Sequence, residues 1–291
     1  VKPVNGKREG MDIEYLIKRL SLLSAVAGRY ALSVQHRVAH QSLKSQYDNV
    51  FAQALTDADL SVQGFIEVSL LAEFPEVGFF GEEESHSLNM KYFPADAPYT
   101  VYLDPIDGTR YYQDGSPLFN VILMVVHDQK IEAAVVAMPA RDRYFWGIRG
   151  RGTYCANHQQ VMTAPEHDIF GHPVTLNPKS DIVLSNGMPE VSLGKDWSHI
   201  DVLEAYSPGF DRCITDVLAG QARAVFGREA GLIDWGAIGF LVKEAGGVVS
   251  DLTGQALGPI DKEGDFKYPS FLAVADLSAH AQLVDELREA I

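Results

Sequence analysis

Val101-Tyr102-Leu103-Asp104-Pro105-Ile106-Asp107-Gly108-Thr109 is the stretch on which the reading of this chain turns. Val101–Leu103 is a β-prone apolar run. Proline disfavours the helical region for the residue before it, so Asp104 is expected to end the strand in extended geometry. Pro105 suits the first position of a following helical turn. Asp107, Gly108 and Thr109 then fall in or beside that turn, where backbone N–H groups have no intrahelical partner. Carboxylates are hard oxygen ligands suited to magnesium, and free amides suit phosphate oxygens. One short loop can therefore hold a metal and an anion side by side. Asp, Pro and Gly also crowd ordinary turns; the strand before them and the Thr after them sharpen the signal.

Two further segments carry acidic groups. Phe79-Phe80-Gly81-Glu82-Glu83-Glu84-Ser85 follows a short apolar strand, and taken alone its three acids read as a solvated loop. Leu232-Ile233-Asp234-Trp235-Gly236-Ala237 leads to Glu244-Ala245-Gly246-Gly247. Asp234 sits where a helix N-cap is expected and Gly246 where the helix ends. Capping is a sufficient account of Asp234. It does not explain Gly236, Ala237 and Gly239, small residues that let something approach the helix closely.

Around these segments the chain divides into two patterns. Apolar residues from Met11 to about His40 keep helical spacing, and a second helix is expected from about Leu60 to Phe74. Short β-rich runs follow at Val77–Phe80, Thr100–Leu103, Phe119–Val126, Ile131–Met138 and Arg143–Ile148, a spacing that predicts an antiparallel meander. From about Asp181 strands and helices alternate: strands at Ile182–Leu184, Ala222–Phe226, Val248–Ser250 and Phe271–Ala275, helices near Asp211–Leu218, Asp234–Ala245 and Ser278–Ala290. Alternation of this kind favours stacked helix and sheet layers. The composition shift near residues 165–180 marks a candidate seam, giving halves at 1–178 and 179–291.

The chain has 291 residues, 46% hydrophobic and 22% charged, which excludes a disordered or collagen-like protein. Its 24 basic and 39 acidic residues give a net charge of −15, which repels phosphate backbones and argues against nucleic acid as the main ligand. No stretch approaches the roughly 18–20 apolar residues of a membrane span. The segment Val1–Lys7 lacks the apolar core of a secretory signal, and Met11 is a candidate natural start. Cys155 and Cys213 are too few to staple the chain, so a reducing cytoplasm is expected and both read as packed thiols. His86 reads as a surface residue.

Taken together, the Asp-Pro-Ile-Asp-Gly-Thr box, Gly-Glu-Glu and Asp-x-x-Ala with Glu-Ala-Gly-Gly resemble the inositol monophosphatase family, within the magnesium-dependent, lithium-sensitive phosphatases. The resemblance runs from about Lys44 to Leu257, in the same order and at similar spacing. It implies a layered α/β (αβαβα) sugar-phosphatase fold: an α+β first half with an antiparallel sheet and most metal ligands, and a smaller α/β second half with Asp234 and a pocket wall. It implies Glu82, Asp104 and the Ile106 carbonyl on one Mg2+, Asp104 bridging to Asp107 and Asp234 on a second, and Glu82 reaching a third through water. Ala54–Asp59 resembles the family's Val-Thr-x-x-Asp segment, so Asp59 would hold Thr109, which would orient the attacking water, while Thr56 and Asp57 serve the helix start. Glu82, Asp59 and Thr109 are thus the implied catalytic residues. Asp107, Gly108, Thr109 and Asp234 would contact the substrate, with the Gly108 and Thr109 N–H groups on the phosphate. A homodimer and inhibition by lithium are also implied.

Departures from the family pattern lie outside the metal box. Ser207-Pro208-Gly209-Phe210-Asp211 replaces a Gly-Ser/Thr-Ala-Ala run, placing a large ring where a small side chain leaves room for the sugar, although Phe210 equally suits core packing. A glutamate that reads sugar hydroxyls is replaced by Gly227, with Arg228 and Glu229 just after it. Arg110 reads either as a surface cation or as a reader of an extra negative group. The expected function is hydrolysis of a small phosphate monoester, with inositol monophosphate leading. Phosphoadenosine phosphate, a sugar bisphosphate and histidinol phosphate are alternatives, and a non-catalytic regulatory protein on the same fold is the competing class.

Overall fold

The computed structural model describes residues 11–37, 56–165, 168–207, 209–260 and 266–290. Among these the helices are α1 (Ile13–Val34), α2 (Asp57–Glu73), α3 (Thr109–Gln113), α4 (His158–Thr163), α5 (Leu232–Glu244) and α6 (Leu277–Ala290). A seven-stranded sheet runs in chain order through β1 (Gly78–Gly81), β2 (Tyr99–Asp107), β3 (Asn120–His127), β4 (Lys130–Met138), β5 (Arg143–Ile148), β6 (Thr153–Ala156) and β7 (His172–Pro173). Its pairs are antiparallel from β2 onward, and β1 adds a parallel edge. The second sheet holds β8 (Ile182–Asn186), β9 (Ser198–Asp201), β10 (Ala224–Gly231), β11 (Val248–Ser250) and β12 (Lys267–Val274), in the order β11-β12-β10-β8-β9.

The apolar pattern of the strands dictates the layers. Strand β3 is apolar along almost its whole length, which a strand tolerates only when both faces are covered. Val121, Leu123 and Val125 pack with Leu16 and Leu20 of α1 and Val62, Ile66 and Leu70 of α2. Ile122, Met124 and Val126 turn the other way, onto Trp235, Ile238 and Leu241 of α5. Helix α5 is buried on nearly every side because the second sheet covers its far face through Val225, Phe271 and Ala273. The outer face of that sheet, Ala224, Phe226, Leu272 and Val274, packs on Leu283 and Leu287 of α6. Helices, sheet, helix, sheet and helix therefore stack in five layers, the αβαβα arrangement that the resemblance implies. Phe271 is what approaches the small face of α5: a Cβ on Gly239 would lie 2.5 Å from its ring.

Several local expectations are corrected. Strand β2 continues through Pro105 to Asp107, so Pro105 does not open a helical turn. Asp234 is the third residue of α5 and Gly231 its cap, because β10 runs on to Gly231 and brings the helix start forward. The helix expected near Asp211–Leu218 is a single 3-10 turn at Ile214–Val217. Of the first expected helix, residues 38–40 lie outside the described residues, as do residues 1–10, Lys44 and Ala54-Leu55.

The Glu244-Ala245-Gly246-Gly247 box has a packing role. Gly246, at φ +92°, and Gly247 close α5 by donating to Lys243 and Val242 carbonyls at 3.0 and 2.9 Å. Glu244 Oε2 accepts from Gly150 N at 2.8 Å and so holds the turn between β5 and β6. A Cβ on Gly247 would meet Val274 O and Val242 Cγ1, both at 2.6 Å. Gly247→Ala should therefore cost about 1–3 kcal/mol of unfolding free energy in urea titrations. Wild-type stability in that variant would refute the close approach.

Candidate active site

Asp104 and Asp107 lie three residues apart, a spacing that puts side chains on opposite faces of a regular strand. They share a face here. Asp104 pairs with Ile122 and Asp107 with Asn120, so β2 spends three steps where β3 spends two. The extra residue is a β-bulge, and Pro105 within it has no N–H for the ladder to lose. Ile106 turns its side chain into the core under α1 and α2 while its N–H donates to Asp104 Oδ1 at 3.0 Å. Gly108 follows at φ +81°, where a Cβ would lie 2.9 Å from Leu118 O, so the turn into α3 requires glycine. Helix α1 steadies α3 from behind: Gln35 Nε2 donates to Tyr112 O at 3.1 Å and Ser116 O at 2.8 Å.

Thr109 Oγ1 lies 2.9 Å from Ile106 O and 3.3 Å from Asp59 Oδ1. Asp59 is also the third residue of α2, where its carboxylate accepts from Thr56 N at 2.8 Å and from the Thr56 hydroxyl in a capping box. Glu82 extends the β1–β2 pairing by donating its N–H to Leu103 O at 2.9 Å. The acidic loop after it is anchored to α2 through Gln63, whose Oε1 accepts from Glu83 N at 3.1 Å and whose Nε2 donates to Glu67 at 3.0 Å. A Cβ on Gly81 would collide with Gln63 at 2.4 Å. Asp234 folds back over the start of α5, within 2.6 Å of where a Gly231 Cβ would stand. His86 lies 3.9 Å from the Glu83 carboxylate and is half exposed.

These elements bring Asp59, Glu82, Asp104, Asp107 and Asp234 into electrostatic contact. Asp59 and Asp104 are buried, Asp107 and Asp234 keep part of their surface open, and Glu82 faces solvent. Burial is the first cause that pushes Asp59 up to about 7, with Glu82 and Glu83 adding to it against the bonds from Thr56. Burial and then Asp107 push Asp234 up to about 8. Asp107 rises to about 6 through burial, held back by Asn120. Asp104 is held well above the usual carboxylate range by burial and by the charges of Glu82, Asp107 and Asp234, and it hydrogen-bonds Glu82. Among the described residues no three acidic, His or Cys side chains are grouped ready to hold a metal ion. Asp104 and Glu82 spend oxygens on each other, and Asp107 Oδ2 accepts from Asn120 Nδ2 at 2.6 Å. The donor set nevertheless fits a hard divalent cation, being all oxygen and mutually repulsive. Asn120 Oδ1, buried beside Asp107 without a hydrogen-bond partner, is a further uncompensated oxygen. Sequence reasoning missed Asn120; its signal was one polar residue opening an apolar strand.

The outlying candidates separate. Arg110 Nε pairs with Asp114 at 3.2 Å, and the Tyr206 hydroxyl donates to the same carboxylate while its ring meets Tyr111 edge-on at 4.8 Å. Phe210 packs against the core between the sheets. A side chain at Gly227 would meet the Trp235 ring at 3.0 Å, and Glu229 points to solvent, 3.7 Å from Lys267.

A sequence profile of the inositol monophosphatase family matches residues 14–291. Inositol monophosphatase 1 of Bos taurus is 29% identical over 237 residues, covering 77% of this chain and 80% of that protein. A histidinol-phosphatase of Chlorobaculum parvum is 26% identical, covering 83% and 87%. Among solved structures, extragenic suppressor protein SuhB from Bartonella henselae aligns with a TM-score of 0.69 at 19% identity, over 95% of this chain and 99% of that one, a likeness of fold. The profile spans nearly the whole sequence, and the chain belongs to the inositol monophosphatase family of phosphoric monoester hydrolases.

Proposed function

We propose that the chain hydrolyses a small phosphate monoester with Mg2+, two or three ions per site, held by Glu82, Asp104, the Ile106 carbonyl, Asp107 and Asp234. Inositol monophosphate is the leading substrate, and a homodimer in a reducing cytoplasm belongs to the same reading. The observation that carries it is the bulge of β2, which turns Asp104 and Asp107 to one face beside Asp234 and Glu82. When bound, the cations supply positive charge and Lewis acidity toward phosphoryl oxygens. The protein's own groups do the rest. Asp59 receives the Thr109 hydroxyl, leaving the Thr109 oxygen to accept from the attacking water. The Gly108 and Thr109 N–H groups face the phosphate, and Asp107 and Asp234 border the substrate. No thiol is needed: burial pushes Cys213 up to about 12, so it keeps its proton at neutral pH.

The substrate half of the proposal rests on the pocket wall. The carboxylate that would read sugar hydroxyls is missing at Gly227, where Trp235 fills the space, and Glu229 faces away. Histidinol phosphate, a sugar bisphosphate and phosphoadenosine phosphate therefore belong beside inositol monophosphate in one assay panel. Release of phosphate from at least one member, dependent on Mg2+, is the expected result. Absence of turnover on all of them would favour a binding protein on this fold.

Two further outcomes test the carboxylates. Asp104→Asn should abolish turnover with an unchanged circular dichroism spectrum, and near-normal activity would remove Asp104 from the site. The raised carboxyls also link pH to stability. Asp107, Asp59 and Asp234 hold protons up to about 6, 7 and 8, whereas the unfolded chain releases them near 3.8. The stability they contribute is complete below the unfolded value and is lost as pH rises through the folded ones. In EDTA, the thermal midpoint should fall between about pH 4 and pH 8 relative to Asp234→Asn. Mg2+ should reverse that fall, and parallel pH profiles for the two proteins would contradict it.

A further inference from the structure

Three aromatic rings are tied to the elements that carry Glu82, Asp104 and Asp234. Phe80 and Tyr102 are register partners on β1 and β2, with centroids 5.4 Å apart. Phe80 stands two residues before Glu82 and Tyr102 two before Asp104, so along the strands each ring shares a face with the acid that follows it. The third ring comes from the residue just before β12 of the other sheet. Phe266 stacks on Phe80 at 4.4 Å and 15°, and lies 6.3 Å from Tyr102.

Phe266 also touches the helix that carries Asp234. Helix α5 begins without a side-chain cap, since Gly231 has none to offer. Its first N–H, from Leu232, donates instead to Phe266 O at 2.7 Å. That carbonyl is aimed by a left-handed backbone at φ +50°, uncommon for a residue with a Cβ. One residue thus caps the Asp234 helix with its backbone and grips the Glu82 strand with its ring.

We propose that Phe266 is a positioning residue, which sets the distance between Glu82 and Asp234 by clasping the two sheets through its stack on Phe80. The inference rests on the reading of those two acids as metal ligands. Carboxylates that repel one another need an outside force to stay close before a cation arrives. Holding them there lowers the cost of assembling the site when the ion binds. An aromatic pair outside the carboxylate shell, with no charge of its own, suits that task.

The test is Mg2+ binding by isothermal calorimetry on the full chain. Phe266→Gly keeps the left-handed backbone without strain and removes only the ring. It should weaken Mg2+ binding about 3- to 10-fold, the equivalent of one aromatic pair. Phe266→Tyr should restore wild-type binding. Phe80→Leu should give a similar loss, and the double variant should be no worse than the weaker single one, as for two partners of one interaction. Leu283→Ala, in the distant α6 core, controls for general destabilisation and should lower the thermal midpoint without moving the Mg2+ isotherm. Wild-type binding in Phe266→Gly, or losses that simply add in the double variant, would overturn the clasp. If Asp104→Asn binds Mg2+ as wild type does, the metal reading itself falls, an outcome separate from failure of the clasp.

Discussion

Repulsion between buried carboxylates is the constraint around which this molecule is arranged. Asp59 and Asp104 are buried, and Asp107 and Asp234 adjoin them. Gathering such groups away from water is unfavourable unless protons or cations accompany them. The chain commits two sheets, a strand bulge and two helix starts to the gathering. The bulge is the decisive element. In a regular strand the three-residue spacing would turn one acid toward α5 and the other into the apolar core beneath α1 and α2; the bulge turns both to one face. Pro105 makes the insertion inexpensive by having no N–H to leave unpaired.

The layers on either side explain how the bulge is kept. Both faces of the first sheet are sealed, by α1 and α2 on one side and by α5 with the second sheet on the other. Each fully buried Leu, Ile or Val contributes roughly 1.5–3 kcal/mol. A reservoir of that size can offset a few buried acids whose ionisation the fold resists. It also makes α5 a shared wall, so the acid on its first turn belongs equally to both sheets.

How much of this could be read from sequence follows from the range of each interaction. The acids in the Asp-Pro-Ile-Asp-Gly-Thr box are close in the chain, and proline and glycine restrict that segment strongly. The box was legible, although Pro105 belongs to a bulge where a helical turn was expected. Layered stacking was legible too, from the alternation of strands and helices, and its five-layer form came with the family resemblance. Gln63, Asn120 and Phe266 were not. Gln63 matters through the space left by Gly81, Asn120 through a partner 13 positions away, and Phe266 through a stack between sheets. Spacing along the chain carries no trace of such pairings. The helix expected near Asp211–Leu218 failed for a related reason. Its acid Asp216 is drawn to Arg141 at 2.6 Å, a partner in the β4–β5 turn that helical periodicity does not contain.

The carboxylate cluster and the groups around it rest on different elements of this architecture. The carboxylates gathered at the candidate site come from two strand ends and two helix starts fixed by the cores. The groups beyond it come from the α3 surface and from the turn after β9. Asp201 orders that turn by accepting from Leu203 N at 3.1 Å and Glu204 N at 2.9 Å, and the turn presents Tyr206 to Asp114. Asp114 in turn engages Arg110, so the cation beside the reacting loop is already half answered by a carboxylate. An anion arriving at that guanidinium would have to compete with Asp114. Exchanging residues in this outer ring would therefore leave the bulge, and the acids it turns together, undisturbed.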